Sequence, residues 1–215
     1  MVRETYLELL ESVNRDLLGL CAMSCESMHK SITYLESWDR KGEKEVIVED
    51  VRINEAFIEL QEKCFQIIAR QQPVAIDLRF LGSSLTVANN LERCGDYSAD
   101  IAKTVIMMKP RIEDGIKEIK EMDRTAEEAL KLSVEAFTKR DLSIIERVCE
   151  IEKQNDVYFG KLLDKLKKST KTCKDPELLF RTAIVGRHLE RFADRAVNIS
   201  NRAAYVVTAD RKYLR

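Results

Sequence analysis

The chain has 215 residues, of which 45% are apolar and 34% charged, and it contains only 7 glycines and 3 prolines. So few helix breakers beside so many charged side chains exclude a disordered or β-rich chain and favour long amphipathic helices that pack into bundles. The 36 basic and 37 acidic residues nearly cancel, which leaves no general electrostatic attraction to nucleic acid or to an anionic membrane.

Three helices are predicted in the first half. The first spans about residues 4–38, because apolar residues recur there at spacings of three and four. The segment 39–44, which contains Gly42, is predicted to end it; a second helix then ends near residue 70, and Pro73 opens a third that ends near residue 108. The predicted core residues are Leu18, Cys21, Cys25, Met28, Ile32 and Leu35 in the first helix, Val48, Val51, Ala56, Ile58, Phe65 and Ile68 in the second, and Ala88, Leu91, Gly95, Ser98, Ala102 and Val105 in the third.

The second half is predicted to repeat this order. Lys109-Pro110-Arg111 is the clearest internal boundary, and a fourth helix is predicted over about residues 112–139. Asp141 is placed to cap a fifth helix, because its carboxylate can accept hydrogen bonds from the free amides of the first turn. Asp175 followed by Pro176 opens a sixth helix that ends near residue 209. The predicted fold class is therefore all-α.

A sequence repeat relates the two halves. Leu91–Asp96 (LERCGD) and Leu189–Asp194 (LERFAD) match at an offset of 98 residues (190 − 92 = 98), and Asp100 aligns with Asn198 at the same offset. A duplicated three-helix unit whose copies pack about a pseudo-twofold axis accounts for this repeat. We predict two tandem three-helix bundles, residues 1–109 and residues 110–215.

Acidic side chains recur one helical turn apart in both halves. Glu92, Asp96 and Asp100 are spaced i, i+4, i+8 and are expected to form one stripe about 12 Å long. Like charges at this spacing repel one another, and a bound cation reverses the sign of that interaction. An all-oxygen donor set favours hard cations such as Mg²⁺, Ca²⁺, Mn²⁺ or ferric iron, and Zn²⁺ can also bind carboxylates. The predicted ligands are Asp50, Asn54, Glu92, Asp96 and Asp100 in the first half and Glu152, Asp156, Glu190, Asp194 and Asn198 in the second.

The acidic stripes also allow two alternatives to metal binding by a regulator. The acids can be surface charges paired with neighbouring arginines, which leaves a metal-free helical scaffold whose stripes face partner proteins. A ferritin-like di-iron enzyme also uses carboxylates on a helical bundle, but it needs two Glu-x-x-His motifs, and Glu26–His29 is the only one in the chain. No Walker motif and no supported nucleophile–base arrangement occurs, so we predict that the chain is not an enzyme.

The cysteines and histidines add no ligand to the predicted sites. No Cys-x-x-Cys pair occurs and no apolar stretch approaches the roughly 20 residues of a membrane span, so we predict a cytoplasmic protein with reduced thiols. Cys21, Cys25 and His29 share one helix at metal-ligand spacing, but both cysteines fall on its apolar face and are interpreted as core residues. His188 precedes Glu190 and could join the second group of acids; it is interpreted as a helix-surface residue and left out of the ligand set.

Five ordered segments of the chain resemble the PhoU family: Glu49–Glu55, Arg70–Arg79, Asn90–Asp96, Glu152–Tyr158 and His188–Asn198. The resemblance covers nearly the whole chain and implies two three-helix bundles, homodimerisation and multinuclear clusters of metal ions such as iron, zinc, manganese or magnesium. It also implies a regulator that restrains phosphate uptake and the phosphate-starvation response. Such a regulator contacts the ATPase of the phosphate ABC transporter or a sensor histidine kinase, and it reaches the membrane only through these partners. Asn155, where an aliphatic residue is expected, and Asn54, a neutral ligand, depart from the family pattern.

Overall fold

The computed structural model describes residues 2–109 and 113–214. Within these two segments the chain is all-α, as predicted, and contains no β-strand. The long helices are α1 (Val2–Ser37), α2 (Arg40–Gln71), α3 (Ala75–Met107), α4 (Ile116–Lys139), α5 (Ile145–Ser169) and α6 (Pro176–Thr208). Two short 3-10 segments, Leu142–Ile144 and Arg211–Leu214, precede α5 and follow α6.

The predicted break at residues 39–44 is wrong, because α2 begins directly after Asp39. The Asp39 carboxylate caps α2 by accepting hydrogen bonds from the backbone amides of Lys41 and Gly42, at 3.0 and 3.1 Å. Gly42 lies inside the helix against the ring of Tyr34, and a Cβ added to Gly42 would lie 2.7 Å from that ring. This glycine therefore permits a close contact between α1 and α2 and does not interrupt the helix.

The starts of the other helices agree with the sequence in part. Asp175 caps α6, with Pro176 as its first residue, as predicted. Asp141 accepts a hydrogen bond from the Ser143 amide at 2.9 Å and caps the 3-10 segment that leads into α5, not α5 itself. Pro73 lies ahead of α3, which begins two residues later.

The division between the two predicted domains, residues 1–109 and 110–215, stays a prediction. Its boundary at Lys109-Pro110-Arg111 and the predicted start of the fourth helix at Ile112 involve residues outside the described segments. In the structure α4 begins at Ile116, after Gly115 with a φ of 94°. Glycine suits this left-handed conformation because it has no Cβ.

The predicted core of α2 is wrong in part. Val51, Ile58 and Phe65 are exposed, and Leu18 of α1 is also largely exposed. Apolar residues occupy more than one side of α2, so their spacing alone does not tell which side meets α1 and α3. The residues of α2 that enter the core are Val46, Ile53, Leu60, Cys64 and Ile67, whereas the predicted Val48 is exposed and Ala56 and Ile68 are partly buried. The other predicted residues of α1 and the whole predicted row of α3 are buried, as expected.

The six helices form two three-helix units that pack side by side. α2 packs on α1 and α3, and α5 packs on α4 and α6. The units meet where α3 packs against α6 and where α1 packs against α4, so α2 and α5 flank a centre of four helices. Phe80 of α3 also stacks on Phe137 of α4, with their ring centroids 5.4 Å apart. No helix in the described part of the chain is long and apolar enough to cross a membrane.

The repeat extends to the first two helices of each unit. Buried Leu17 of α1 corresponds to buried Ile119 of α4 at an offset of 102 residues (119 − 17 = 102), which is also the offset between the capping residues Asp39 and Asp141 (141 − 39 = 102). The offset falls to 98 in α3 and α6. Measured from its cap, α2 is therefore four residues longer than its counterpart α5, 32 residues (71 − 39 = 32) against 28 (169 − 141 = 28).

Cys21 and Cys25 lie in the core, as predicted. A hydrogen bond with Cys21, together with burial, raises the pKa of the Cys25 thiol far above its usual value. His29 is mostly exposed, and its Nδ1 lies 3.1 Å from Oδ2 of buried Asp123 on α4. The structure therefore uses the cysteines for packing and His29 for a contact between the two units.

Candidate metal centre

The first acidic cluster comprises Asp50, Asn54, Glu92, Asp96 and Asp100. Asp50 and Asn54 lie one turn apart on α2, and the Asn54 side-chain amide is 3.5 Å from Oδ2 of Asp50. The three acids of α3 lie on the side that faces α2, where the charges of Asp96 and Asp100 act on Asp50. The structure therefore brings the predicted ligands of the first half together.

Gly95 lets α2 and α3 approach closely at the first acidic cluster. A Cβ added to Gly95 would lie 3.0 Å from two side-chain carbons of Ile53 and 3.2 Å from Oδ1 of Asp50. Because Gly95 has no side chain, the Asp50 carboxylate lies against the backbone of α3. The residue between Cys94 and Asp96 thus helps to position a carboxylate of the neighbouring helix.

Changing Gly95 to alanine is expected to destabilise the fold by about 1 kcal/mol. The added methyl group collides with Ile53 and Asp50, and overpacking of this kind costs roughly 1–3 kcal/mol, which exceeds the roughly 0.5–1 kcal/mol that alanine gains over glycine in a helix. The measurement is the free energy of unfolding by urea titration.

Gly82 provides the matched control on the same helix, because nothing lies within 4 Å of a Cβ built there. Gly82→Ala should therefore stabilise the chain by about 0.5–1 kcal/mol. Equal stabilisation by both changes would mean that α2 does not press on α3 at Gly95.

The second acidic cluster comprises Glu152, Asp156, Glu190, Asp194 and Asn198. The two acids of α5 face the two acids of α6, because the charges of Asp156, Asp194 and Glu190 all act on Glu152. Asn198 lies one turn beyond Asp194 and is partly buried, and no hydrogen bond joins it to these acids among the residues with described positions. The structure therefore brings the four acids of the second half together, and Asn198 continues their stripe on α6.

Burial and mutual repulsion disfavour the charged forms of these acids. Burial raises the pKa of Asp50 and Glu92 above the ordinary values, and the charge of nearby Asp96 raises both further. In the second cluster burial likewise raises the pKa of Glu152 and Glu190, with Asp156 and Asp194 respectively as the next largest cause. Burial also raises the pKa of Asp194, against the opposing charge of Arg195. A bound cation would favour the charged carboxylates in both clusters.

Within the two acidic clusters, three buried carboxylate oxygens accept no hydrogen bond from the described residues: Oδ1 of Asp50, Oε2 of Glu92 and Oε2 of Glu190. Oε2 of Glu92 lies 3.8 Å from the Arg93 Nε, which is too far for a hydrogen bond. Buried polar atoms normally have partners, so unpaired oxygens within a group of acids fit a site for an oxygen-ligated cation. The residues present therefore fit the metal ions that the sequence predicts.

Basic side chains neutralise part of each cluster. Arg93 donates to Asp96 at 3.1 Å, Lys103 donates to Asp100 at 3.0 Å, and Arg187 pairs with Glu190. No three His, Cys, Asp or Glu side chains in the described segments converge on one point suited to a metal ion. Each basic side chain is more than half exposed, so it can turn into solvent without disturbing the core. The alternative of surface charges paired with neighbouring arginines predicted pairs of this kind, and the Lys103 pair was not predicted.

His188 lies beside the first acidic cluster, not the second. Its ring is 5.9 Å from the ring of Tyr97 on α3, and the charge of Asp100 acts on it. Burial lowers the pKa of His188, and its Nδ1 accepts or donates no hydrogen bond within the described residues. Residue spacing along α6 could not reveal this position, because it depends on how α6 packs against α3.

Asn155 lies in the core and not among the ligands. Its side-chain amide donates hydrogen bonds at 2.8 Å to the Met122 carbonyl oxygen and to the Thr125 hydroxyl on α4. Ile53 holds the equivalent position in α2 and packs on Gly95. The departure from an aliphatic residue at position 155 thus changes how α5 is held against α4.

Comparison with known proteins agrees with this architecture. The sequence profile of the PhoU domain matches residues 17–105 and 119–203, one match in each three-helix unit. The chain belongs to the PhoU domain family. The two matched segments contain all ten predicted ligands.

Full-length relatives of the PhoU family share both the sequence and the fold. A phosphate-specific transport system accessory protein PhoU homolog from Clostridium acetobutylicum is 28% identical over 97% of this chain and 96% of its own length. The homolog from Streptococcus pneumoniae serotype 4 is 30% identical over 94% of both chains. The crystal structure of the phosphate transport system regulatory protein PhoU from Streptococcus pneumoniae aligns with a TM-score of 0.87 at 26% identity, over 95% of this chain and 98% of that chain.

Proposed function

We propose that this chain is a cytoplasmic regulator of phosphate uptake that acts through contact with other proteins and not through catalysis. The observation that carries the proposal is the family match in both three-helix units, with an acidic cluster between two helices in each. Relatives that align along nearly their whole length are named as accessory proteins of phosphate-specific transport. A negative regulator of the phosphate ABC transporter and of phosphate-starvation signalling is the role that fits this family best.

We infer that the two acidic clusters hold oxygen-ligated cations such as ferric iron, Zn²⁺, Mn²⁺ or Mg²⁺. Asp50, Glu92 and Asp96 carry the first site. Asp50 and Glu92 each have an unpaired buried oxygen and a raised pKa, and the charge of Asp96 contributes to both pKa shifts. Glu152, Glu190 and Asp194 carry the second site, because all three have a raised pKa and Glu190 has an unpaired buried oxygen. A cation bound there would supply positive charge and fix the carboxylates in one geometry. Several ions along each stripe suit its length better than one.

Metal binding would change which side chains the surface offers to a partner. Carboxylates that bind cations release Arg93, Lys103 and Arg187 from their present ion pairs. These exposed basic groups then become available for contacts with the transporter ATPase, a sensor histidine kinase or a second copy of the chain. This coupling makes contact with a partner protein depend on bound metal. The chain itself would reach the membrane only through such partners.

Metal ions are expected to stabilise the wild-type chain, and Asp96→Asn combined with Asp194→Asn should remove most of that gain. Each change takes one charge from the middle of a cluster. A ligand that binds only the folded state stabilises it by RT ln(1 + [L]/Kd), about 2.7 kcal/mol at a hundredfold excess over Kd. Thermal melts with and without Mn²⁺, Mg²⁺, Zn²⁺ or ferric iron measure the effect.

The matched control is Glu121→Gln with Glu135→Gln, because these acids of α4 also pair with a basic residue of their own helix. It should keep the full metal response. Asp96→Asn with Asp194→Asn is the cluster variant. Metal-dependent binding of the purified transporter ATPase that is lost in the cluster variant and kept in the control would support the regulatory role. Equal metal stabilisation of the wild type and the cluster variant would leave the metal-free scaffold as the better account.

A further inference from the structure

The outer face of α2 carries an apolar row that no other described residue covers. Val51, Ile58 and Phe65 are 55%, 52% and 57% exposed. They recur every seven residues, so they lie on one side of the helix over roughly 21 Å. Single exposed apolar residues are normal on a protein surface, but a row at this spacing forms a continuous strip.

A second row on α2, three residues before the first, is acidic in its middle. It consists of Val48, Glu55, Glu62 and Ala69, and all four are exposed. The two rows have the spacing of the a and d positions of a coiled-coil helix, with glutamate at two a positions. Neither Glu55 nor Glu62 forms an ion pair with a basic residue in the described segments.

The duplication shows that the three-helix unit does not require this apolar row. At the offset of 102 residues, the positions of Val51, Ile58 and Phe65 correspond to Lys153, Gly160 and Lys167 on α5. Both helices pack in the same way against the two neighbours of their unit. The apolar row is therefore a feature of the first half alone, which points to a role outside the packing of the fold.

We propose that this face of α2 docks an amphipathic helix of a partner protein whose apolar residues recur every seven positions beside lysine or arginine. The partner's apolar residues cover Val51, Ile58 and Phe65, and its basic residues meet Glu55 and Glu62. The same glutamates disfavour α2 of a second copy, because a parallel pair would bring like charges together and an antiparallel pair would bury them against apolar side chains. The proposal rests on the proposed contact function and deepens it by naming the surface and the chemistry of the partner.

Two synthetic three-heptad helical peptides test the docking surface. Both have leucine at every d position; one has lysine and the other glutamate at every a position. Fluorescence anisotropy with the full chain should show that the lysine peptide binds and that its binding weakens with salt. The glutamate peptide should bind at least about tenfold more weakly than the lysine peptide. Ile58→Ser with Phe65→Ser should raise the Kd of the lysine peptide at least about tenfold. Val157→Ser with Leu163→Ser, exposed apolar positions of α5, should leave it unchanged.

Circular dichroism and thermal melts establish that each variant is folded. Equal binding of the lysine peptide to the wild type and the α2 variant overturns the proposal, as does equal binding of the two peptides. A wild-type chain that sediments as a dimer while Ile58→Ser with Phe65→Ser sediments as a monomer also overturns the proposal. The occupant of the α2 face is then a second copy of the chain. The cluster variant Asp96→Asn with Asp194→Asn should retain peptide binding in EDTA. If the lysine peptide does not bind while metal still stabilises the wild type, the docking surface is refuted and the proposed metal sites are not.

Discussion

Replacing Phe137 with alanine is expected to lower the free energy of unfolding by about 3–5 kcal/mol. Phe137 is fully buried near the end of α4, and its ring stacks on Phe80 of α3. The guanidinium of Arg140 lies 5.3 Å from the centre of the Phe80 ring, so the change would also loosen that contact. Alanine would leave a cavity between the two three-helix units, where the backbones of long helices relax only partially. Urea unfolding followed by circular dichroism measures the loss.

Phe180→Ala is the control for this prediction. Phe180 is 67% exposed at the start of α6, so its removal should change the free energy of unfolding by no more than about 0.5 kcal/mol. A loss below about 1 kcal/mol for Phe137→Ala would show that α3 and α4 close the cavity, contrary to the tight contact between the units.

Replacing Glu43 with glutamine is expected to stabilise the chain increasingly as the pH rises. Glu43 is fully buried on α2; it accepts a hydrogen bond from Ser31 at 3.1 Å, and its Oε1 has no partner among the described residues. Burial raises the pKa of Glu43 from 4.5 to about 8. Below pH 4.5 the carboxyl is neutral in both states and costs nothing. Between pH 4.5 and 8 the folded state holds a proton that the unfolded state has lost, so stability falls as the pH rises.

The free-energy difference between Glu43→Gln and the wild type should grow by about 1.4 kcal/mol per pH unit over this range and level off above pH 8. The total between pH 4.5 and pH 8 is on the order of 5 kcal/mol. Urea titrations between pH 5 and pH 9 measure the difference. Glu45→Gln, an exposed change on the same helix, should show no such trend. A difference that does not change with pH would mean that water or a nearby cation reaches the Glu43 carboxylate.

The sequence was sufficient for the features that depend on one helix at a time. The buried row of α3 from Ala88 to Val105 follows from its spacing, because only one side of that helix is apolar and free of charge. The face of α2 did not follow, since Ile58 and Phe65 suit a core as well as Ile53 and Leu60 do. Only the positions of α1 and α3 decide between these two sides.

The candidate site shows the same limit. The stripe of Glu92, Asp96 and Asp100 could be predicted from the spacing of the acids on α3. Asp50 can lie against this stripe because Gly95 has no side chain. The spacing pattern assigned Gly95 only to the core. His188 was interpreted as a helix-surface residue; its position beside the first cluster depends on its neighbours on another helix, α3. Contacts between helices, and not the patterns within them, set these positions.

The four extra residues of α2 have a consequence for how the two halves diverged after duplication. The buried positions of α2 and α5 correspond at the offset of 102 residues from Val46 and Val148 as far as Ile67 and Ser169, so the extra turn lies at the end of α2. A turn added at the end leaves every inward-facing side chain of α2 in place, and α3 can pack as its counterpart α6 does. An insertion of two residues inside the helix would instead have turned the following side chains by about 200° and exposed the core. Length changes in this lineage are therefore expected at helix ends, a rule that comparison of helix lengths between its members can examine.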